Sequence, residues 1–232
     1  MSTKGSVLIT GCSDGGAGSA LAITFQAQGY LVHLVQLDVT KKADISAAVE
    51  TVRERSGGIL TYLVDYAGRN HFMPLLDEDI EISKALYETN FWGPFEVTQA
   101  FVPLLVKPRG TIVFIISVSG HLNVSYQGIF AESKRSLAPF DVKVLSVVTG
   151  ALQTMGLTHF DKWKLPADSA YYAVESIVRM RARGQEGAPR MEAMEYARRV
   201  VSEITKGRIG KLCDSGVQLK TGLDILAKLY EQ

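Results

Sequence analysis

Val7-Leu8-Ile9-Thr10-Gly11-Cys12-Ser13-Asp14-Gly15-Gly16-Ala17-Gly18 decides the fold. An apolar run of strand type ends in a glycine-rich turn. The turn opens into Ser19-Ala20-Leu21-Ala22-Ile23-Thr24-Phe25, which has helical spacing. Strand, glycine turn and helix N-terminus together make a seat for a pyrophosphate. Glycines let the backbone come close to the phosphates, and the unpaired N–H groups and dipole of the helix favour negative charge. A strand–helix turn without a ligand is the plainer reading. The position of this turn at the first strand favours an inherited dinucleotide site.

Outward from that turn, strands and helices alternate. Ser6 to Thr10 reads as a buried parallel strand and Gly18 to Gln28 as a helix closed by Gly29. Tyr30 to Leu37 reads as a second strand, and Lys42 to Ser56 as an amphipathic helix with Ile45, Ala48, Val49 and Val52 on one face. Leu60 to Asp65, Gly110 to Ile116 and Val142 to Val148 are further strands. Asp77 to Val106 holds one long helix or two, ended by Pro103 and Pro108. A short helix is expected near Phe130 to Ser136. Two more are expected over Ala170 to Arg183 and Met191 to Lys206. Such alternation predicts an α/β fold with a parallel sheet covered on both faces. No repeat or linker divides the chain, so residues 1–232 read as one domain, with about 157–206 forming the substrate side.

Composition excludes several classes. A net charge of +1 on 232 residues gives no field for nucleic acid. No apolar stretch reaches the roughly 18–20 residues of a membrane span, and the N-terminus lacks a signal-peptide layout. Two cysteines, Cys12 and Cys213, make no disulfide framework, and reduced thiols in a cytoplasmic protein are expected. His33, His71 and His159 show no ligand spacing, so no metal is expected. Phe91, Trp92, Phe95 and Phe101 read as helix packing, and the arginines from Arg179 to Arg199 as a solvated helical face.

The order of these landmarks resembles the short-chain dehydrogenase/reductase family. Thr10-Gly11 with Gly16-Ala17-Gly18 is similar to its cofactor turn, in a longer version that looks like a mainly fungal branch related to acyl-dihydroxyacetone-phosphate reductases. Asp38-Val39 is similar to the family's adenine-side pair, and Ala67-Gly68 matches the end of its Asn-Asn-Ala-Gly motif. Asn90 stands in Thr89-Asn90-Phe91-Trp92-Gly93, Ser117 follows the fourth strand, and Lys134 falls at the lysine of Tyr-x-x-x-Lys. Thr149-Gly150 and Thr154 resemble the loop that touches the nicotinamide.

The resemblance implies a Rossmann-type doubly wound parallel sheet and an oxidoreductase using NADP, with NAD as the alternative. It implies catalytic roles for Ser117, Lys134 and Asn90. It implies cofactor contacts from Gly11, Ser13, Gly16, Ala17, Gly18, Asp38, Ala67, Gly68, Lys134, Gly150 and Thr154. The substrate would be a small carbonyl or alcohol, apolar or lipid- or polyketide-like, as in fungal secondary metabolism. Leu157, Phe160, Trp163 and Leu165 suit an apolar pocket.

Three departures from the family pattern bear on chemistry. Phe130 replaces the tyrosine of Phe130-Ala131-Glu132-Ser133-Lys134, and a phenyl ring donates no proton. Loss of general acid–base help costs on the order of 10²–10⁴ in rate. Tyr126 or His121 has suitable chemistry to substitute, although a pocket-wall aromatic and an exposed loop histidine are the plainer readings. Second, Leu37 runs straight into Asp38, so the sheet is expected to lack an edge βα unit and part of the adenosine site. Third, Pro139 stops the helix after Lys134 early, which truncates the surface expected to form a homo-oligomer. Asp65-Tyr66 stands where two asparagines are usual. The alternative to an NADP-dependent oxidoreductase is a repurposed scaffold: a non-redox cyclase, dehydratase or isomerase, or a binding protein without turnover.

Overall fold

The computed structural model describes residues 3–117, 138–154, 162–185, 187 and 189–213. The strands are β1 (Ser6–Ile9), β2 (Leu31–His33), β3 (Tyr62–Asp65), β4 (Thr111–Ser117), β5 (Lys143–Thr149), β6 (Leu152–Gln153), β7 (Met191–Glu192) and β8 (Gly210–Cys213). The α-helices are α1 (Ala17–Ala27), α2 (Lys42–Ser56), α3 (Ile80–Tyr87), α4 (Gly93–Val106), α5 (Glu175–Ala182) and α6 (Ala193–Thr205). Six strands form one parallel sheet in the order β2-β1-β3-β4-β5-β8, and β6 pairs with β7 apart from it.

Both faces of that sheet are apolar, because successive side chains on each strand enter different cores. Val7 and Ile9 of β1, Val64 of β3, Val113 of β4 and Leu145 and Val147 of β5 meet α1 and α6 through Leu21, Phe25, Tyr196, Val200 and Ile204. Leu8, Leu63, Ile112 and Val144 turn the other way and meet α2 and α4 through Val49, Val52, Val97, Phe101 and Leu105. The result is the doubly wound three-layer arrangement expected of alternating strands and helices. From β1 the chain moves to one side for β2 and to the other for β3. That reversal opens a crevice at the carboxyl ends of β1 and β3, the place where such sheets take ligands.

Several elements differ from the expectation. The second strand keeps only three residues, and Leu34 to Leu37 leave the sheet. Among the described residues β2 is the edge strand, so no second ladder of hydrogen bonds from them holds its continuation. Pro103 does not end its helix, since α4 runs on to Val106 with Phe101, Leu104 and Leu105 packed beneath it. Over 170–183 the helix begins only at Glu175, after a 3₁₀ turn at Tyr172–Val174. Met191-Glu192 is strand rather than helix, and the pairing of Gly210–Cys213 with β5 has no periodic signal of its own. The short helix expected at Phe130 to Ser136 lies outside the described residues.

Gly93 couples the Asp38-Val39 turn to α4. A Cβ there would sit 2.7 Å from Cγ2 of buried Val39 and 3.1 Å from the Glu88 carbonyl oxygen. Alanine is the better helix former by about 1 kcal/mol, but overpacking costs about 1–3 kcal/mol. Gly93→Ala should therefore lower the urea midpoint of unfolding. A raised midpoint would show that Val39 yields freely.

Candidate active site

The glycine turn sits over the crevice because of Thr10. This residue is only 2% exposed. Its N–H donates to the Val64 carbonyl (3.0 Å), and its Oγ1 accepts from the N–H groups of Tyr66 (3.0 Å) and Ala67 (2.9 Å). A hydroxyl has two acceptor lone pairs, and both are used here. The loops after β1 and β3 are thereby fixed to one another across the switch point.

That closeness explains two of the glycines. Gly11 has φ +73°, and a Cβ on it would lie 2.8 Å from the Ala67 Cα. A Cβ on Gly18 would lie 2.5 Å from the Gly11 carbonyl oxygen and 3.0 Å from the Tyr66 ring. Gly16 is the N-cap of α1, in extended conformation and with no side chain to satisfy the first amides of the helix. The Tyr66 hydroxyl takes the Ala17 N–H of that first turn, and the Gly16 cap supplies no side chain to the amides that follow, which are the donors left for an anion. Ser19 Oγ donates to the Gly16 carbonyl (2.8 Å), which also takes the Ala20 N–H (3.2 Å).

Between this turn and the segment after β2 lies a groove of about 480 Å³, lined by Ile9 to Ser13 and His33 to Leu37. Cys12 closes one wall. Its thiol donates to the carbonyls of Ile9 (3.3 Å) and Gly18 (3.5 Å), and burial pushes it up to about 11, so it is a packed thiol and not a nucleophile. His33 is 3% exposed, and burial, with the Arg55 guanidinium second, keeps its imidazole below the usual range and neutral.

Asp38 stands just past this lining. Its Oδ1 accepts from the N–H (3.1 Å) and hydroxyl (2.8 Å) of Thr40, and Oδ2 pairs with Lys41 (3.1 Å). Those bonds, Thr40's first, hold the carboxyl below its ordinary value. Sequence reasoning assigns Asp38 to the adenine. In the structure its carboxylate is spent on the turn that leads into α2.

Asn90 lies in a π-helical turn, Glu88–Trp92, between α3 and α4. Such turns are frequent at functional sites. Its Oδ1 accepts from the Arg69 N–H (2.8 Å) and its Nδ2 donates to the Arg69 carbonyl (2.9 Å). A Cβ on Gly68 would come within 3.4 Å of the same Oδ1. The carboxamide therefore clamps the backbone just after Ala67-Gly68. The neighbouring aromatics form an edge-to-face string, Phe91 on Trp92 on Phe95, but Trp92 is 48% exposed, so this is not simple core packing.

Ser117 ends β4 in register with Thr149 at the end of β5. Thr149 Oγ1 shares a 2.7 Å hydrogen bond with the Tyr196 hydroxyl, which anchors the Thr149-Gly150 corner to α6. Gly11, Gly18, Ala67, Gly68 and Asn90 are thus brought together over β1 and β3, while Ser117, Thr149 and Gly150 share the carboxyl edge of β4 and β5. Thr154 follows β6. Phe130, Lys134, Tyr126, His121, Leu157, His159 and Phe160 lie outside the described residues.

Two further contacts join the loop after β3 to the segment past residue 160. The Trp163 indole N–H donates to the Phe72 carbonyl, and the Ser169 hydroxyl donates to Asp77 (2.5 Å). No sequence signal marks pairs so far apart. Among the described residues no helix is long and apolar enough to cross a membrane, and no group of three or more His, Cys, Asp or Glu is placed to hold a metal ion.

An open parallel sheet with a glycine turn and a helix N-terminus at its switch point defines an α/β domain of the Rossmann type. The sequence comparisons narrow this further. The family described as short chain dehydrogenase matches residues 5–163, and the chain belongs to that family. It is 43% identical over 234 residues to the short-chain dehydrogenase ptmH of Penicillium ochrochloron, across 88% of this chain and 86% of that protein. It is 30% identical over 205 residues to the NADPH-dependent 1-acyldihydroxyacetone phosphate reductase of Schizosaccharomyces pombe, across 74% of this chain and 69% of that protein. Among solved structures, a short-chain dehydrogenase from Streptomyces avermitilis superposes with a TM-score of 0.78 at 22% identity, across 100% of this chain and 97% of that one.

Asp65 gives the site a pH dependence of stability. It is fully buried beside Thr98, whose hydroxyl donates to Oδ2 (3.3 Å), while Oδ1 has no partner. Burial pushes its carboxyl from 3.8 up to about 8, with the Thr98 bond pulling weakly the other way. The folded state thus holds the proton more tightly than the unfolded chain. Its contribution to stability is lost as pH rises from about 4 through about 8. Asp65→Asn has no proton to lose. Its thermal midpoint should exceed that of the parent by several degrees, roughly 3 °C or more, at pH 9, with a smaller gap at pH 5. Parallel profiles would contradict the burial argument.

Proposed function

We propose that this chain is an NADP(H)-dependent oxidoreductase acting on a carbonyl or alcohol of an apolar, lipid- or polyketide-like substrate, with the proton-transfer half of the reaction weakened. The observation that carries the reading is the glycine turn at the N-terminus of α1, held over the crevice by Thr10 with glycine at each close approach. Supporting it are the relatives named as short-chain dehydrogenases from fungi and one named as NADPH-dependent.

In this reading Gly11, Ser13, Gly16, Ala17 and Gly18 hold the pyrophosphate, and the groove along His33 to Leu37 takes the adenosine half. Ala67 and Gly68 form the opposite wall, kept in place by Asn90. Gly150 and Thr154 face the nicotinamide, and Lys134 holds its ribose. When bound, the nicotinamide supplies or accepts the hydride. Ser117 at the end of β4 holds the substrate oxygen by its hydroxyl.

A tyrosine next to Lys134 would give up its proton readily, because a neighbouring ammonium favours the phenolate. Phe130 cannot. With Ser117 aligning the oxygen, water, Tyr126 or His121 is left to supply the proton, at a cost on the order of 10²–10⁴ in rate. The repurposed scaffold without redox turnover is the competing reading, and Phe130 is the residue that favours it.

Phe130→Tyr separates the two. Reduction of a panel of apolar ketones with NADPH should rise by about 10²-fold or more. A folded variant as inactive as the parent would sink the idea that only the phenol is missing and favour the repurposed scaffold.

A further inference from the structure

One surface of the chain turns apolar side chains outward. Leu75 and Leu76, in a 3₁₀ turn after β3, are 84% and 73% exposed, the highest values for large apolar side chains among the described residues. On the segment tied to this turn, Tyr172, Val174, Ile177 and Met180 are exposed as well. Extended apolar patches are rare on monomeric domains and mark interaction sites.

This surface is firmly built. The Ser169 hydroxyl donates to Asp77 (2.5 Å) and the Trp163 indole N–H to the Phe72 carbonyl, so the two segments are fastened to each other. Leu165, Ser169 and Ala182 are buried and root the second segment in the domain. Val174, at the N-cap of α5, and Ile177 and Met180 within it stand three residues apart, which gathers them towards one side of the helix.

Cations stand among these apolar residues. Over residues 162–183, Lys162, Lys164, Arg179, Arg181 and Arg183 outnumber Asp168 and Glu175. Lys162, Lys164 and Arg181 are exposed. Most acids of the two segments are engaged. Glu175 accepts from the Leu165 N–H (3.2 Å), Glu78 pairs with His71 (3.0 Å), Glu81 pairs with Lys84 (2.7 Å), and Asp79 caps α3 through the Glu81 and Ile82 N–H groups. In sequence these arginines read as a solvated face, and the exposed apolar side chains beside them are what the structure adds. Apolar tips flanked by long basic stems suit a bilayer interface, where the tips enter the acyl boundary and the stems reach back to the phosphates. A second copy fits less well, because a two-fold contact would set these cations against themselves.

We propose that this surface docks the chain peripherally on an anionic phospholipid bilayer, with Leu75, Leu76, Tyr172, Ile177 and Met180 entering the acyl boundary and the neighbouring Lys and Arg side chains meeting the phosphates. Docking needs neither cofactor nor turnover, so it stands or falls apart from the oxidoreductase reading.

The experiment is co-sedimentation of the full chain with vesicles of phosphatidylcholine alone and of phosphatidylcholine mixed with phosphatidylserine. Partition onto the mixed vesicles should exceed that onto phosphatidylcholine by about tenfold or more and should weaken as salt is raised. Ile177→Glu with Met180→Glu should cut partition onto both by about tenfold or more. Arg179→Gln with Arg181→Gln should cut it onto the mixed vesicles alone. Ile177, Met180 and Arg181 are exposed, so the unfolding midpoints of both variants should stay close to that of the parent. No partition onto either vesicle, or equal partition onto both, would overturn the proposal. So would a sedimentation mass of two chains for the parent and one for Ile177→Glu with Met180→Glu, since the surface would then belong to a second copy.

Discussion

One hydroxyl organises the site. Thr10 takes the N–H groups of Tyr66 and Ala67 on its Oγ1, and its own N–H joins the Val64 carbonyl. Three bonds at one buried residue pin the end of β1 to the end of β3 where the chain direction splits. An unsatisfied buried amide costs about 1–3 kcal/mol, so a side chain without an acceptor would release that loop. Gly11 and Gly18 follow from the same constraint, since the backbones approach too closely for a Cβ. Asn90 repeats the device one step further on, with its carboxamide on both polar groups of Arg69.

The edge position of β2 among the described strands shapes the other half of the site. With β2 outermost, Leu34 to Leu37 leave the sheet and become the wall of a groove. Asp38-Val39 then serves the entry to α2: Asp38 through Thr40 and Lys41, Val39 by filling the space beside Gly93. The pair expected to face the adenine thus also builds the turn that leads into α2.

Much of this was legible in sequence because the signals are local. The apolar run before Gly11, the face of Ile45, Ala48, Val49 and Val52, and the strand at Thr111 each state their period within a few residues. α2 spans the expected Lys42–Ser56. What the sequence hid depends on distant partners. Strand β8 exists through its pairing with β5, β2 stops after three residues at the edge of the described sheet, and Arg55 meets Leu34 across 21 positions. In sequence Asp65 stood out only as a carboxylate where an asparagine is usual. Its burial under Thr98 makes it a proton-binding group of the core.

The central claim is that the turn held by Thr10 still seats a dinucleotide. Hydrogen exchange at single-amide resolution, with and without NADPH, tests it most directly. The account predicts slowed exchange at Ser13 and at Gly16 to Gly18, with a smaller effect along Leu34 to Leu37. Unchanged exchange across both segments at saturating NADPH would contradict it and leave the glycine turn as a purely structural joint.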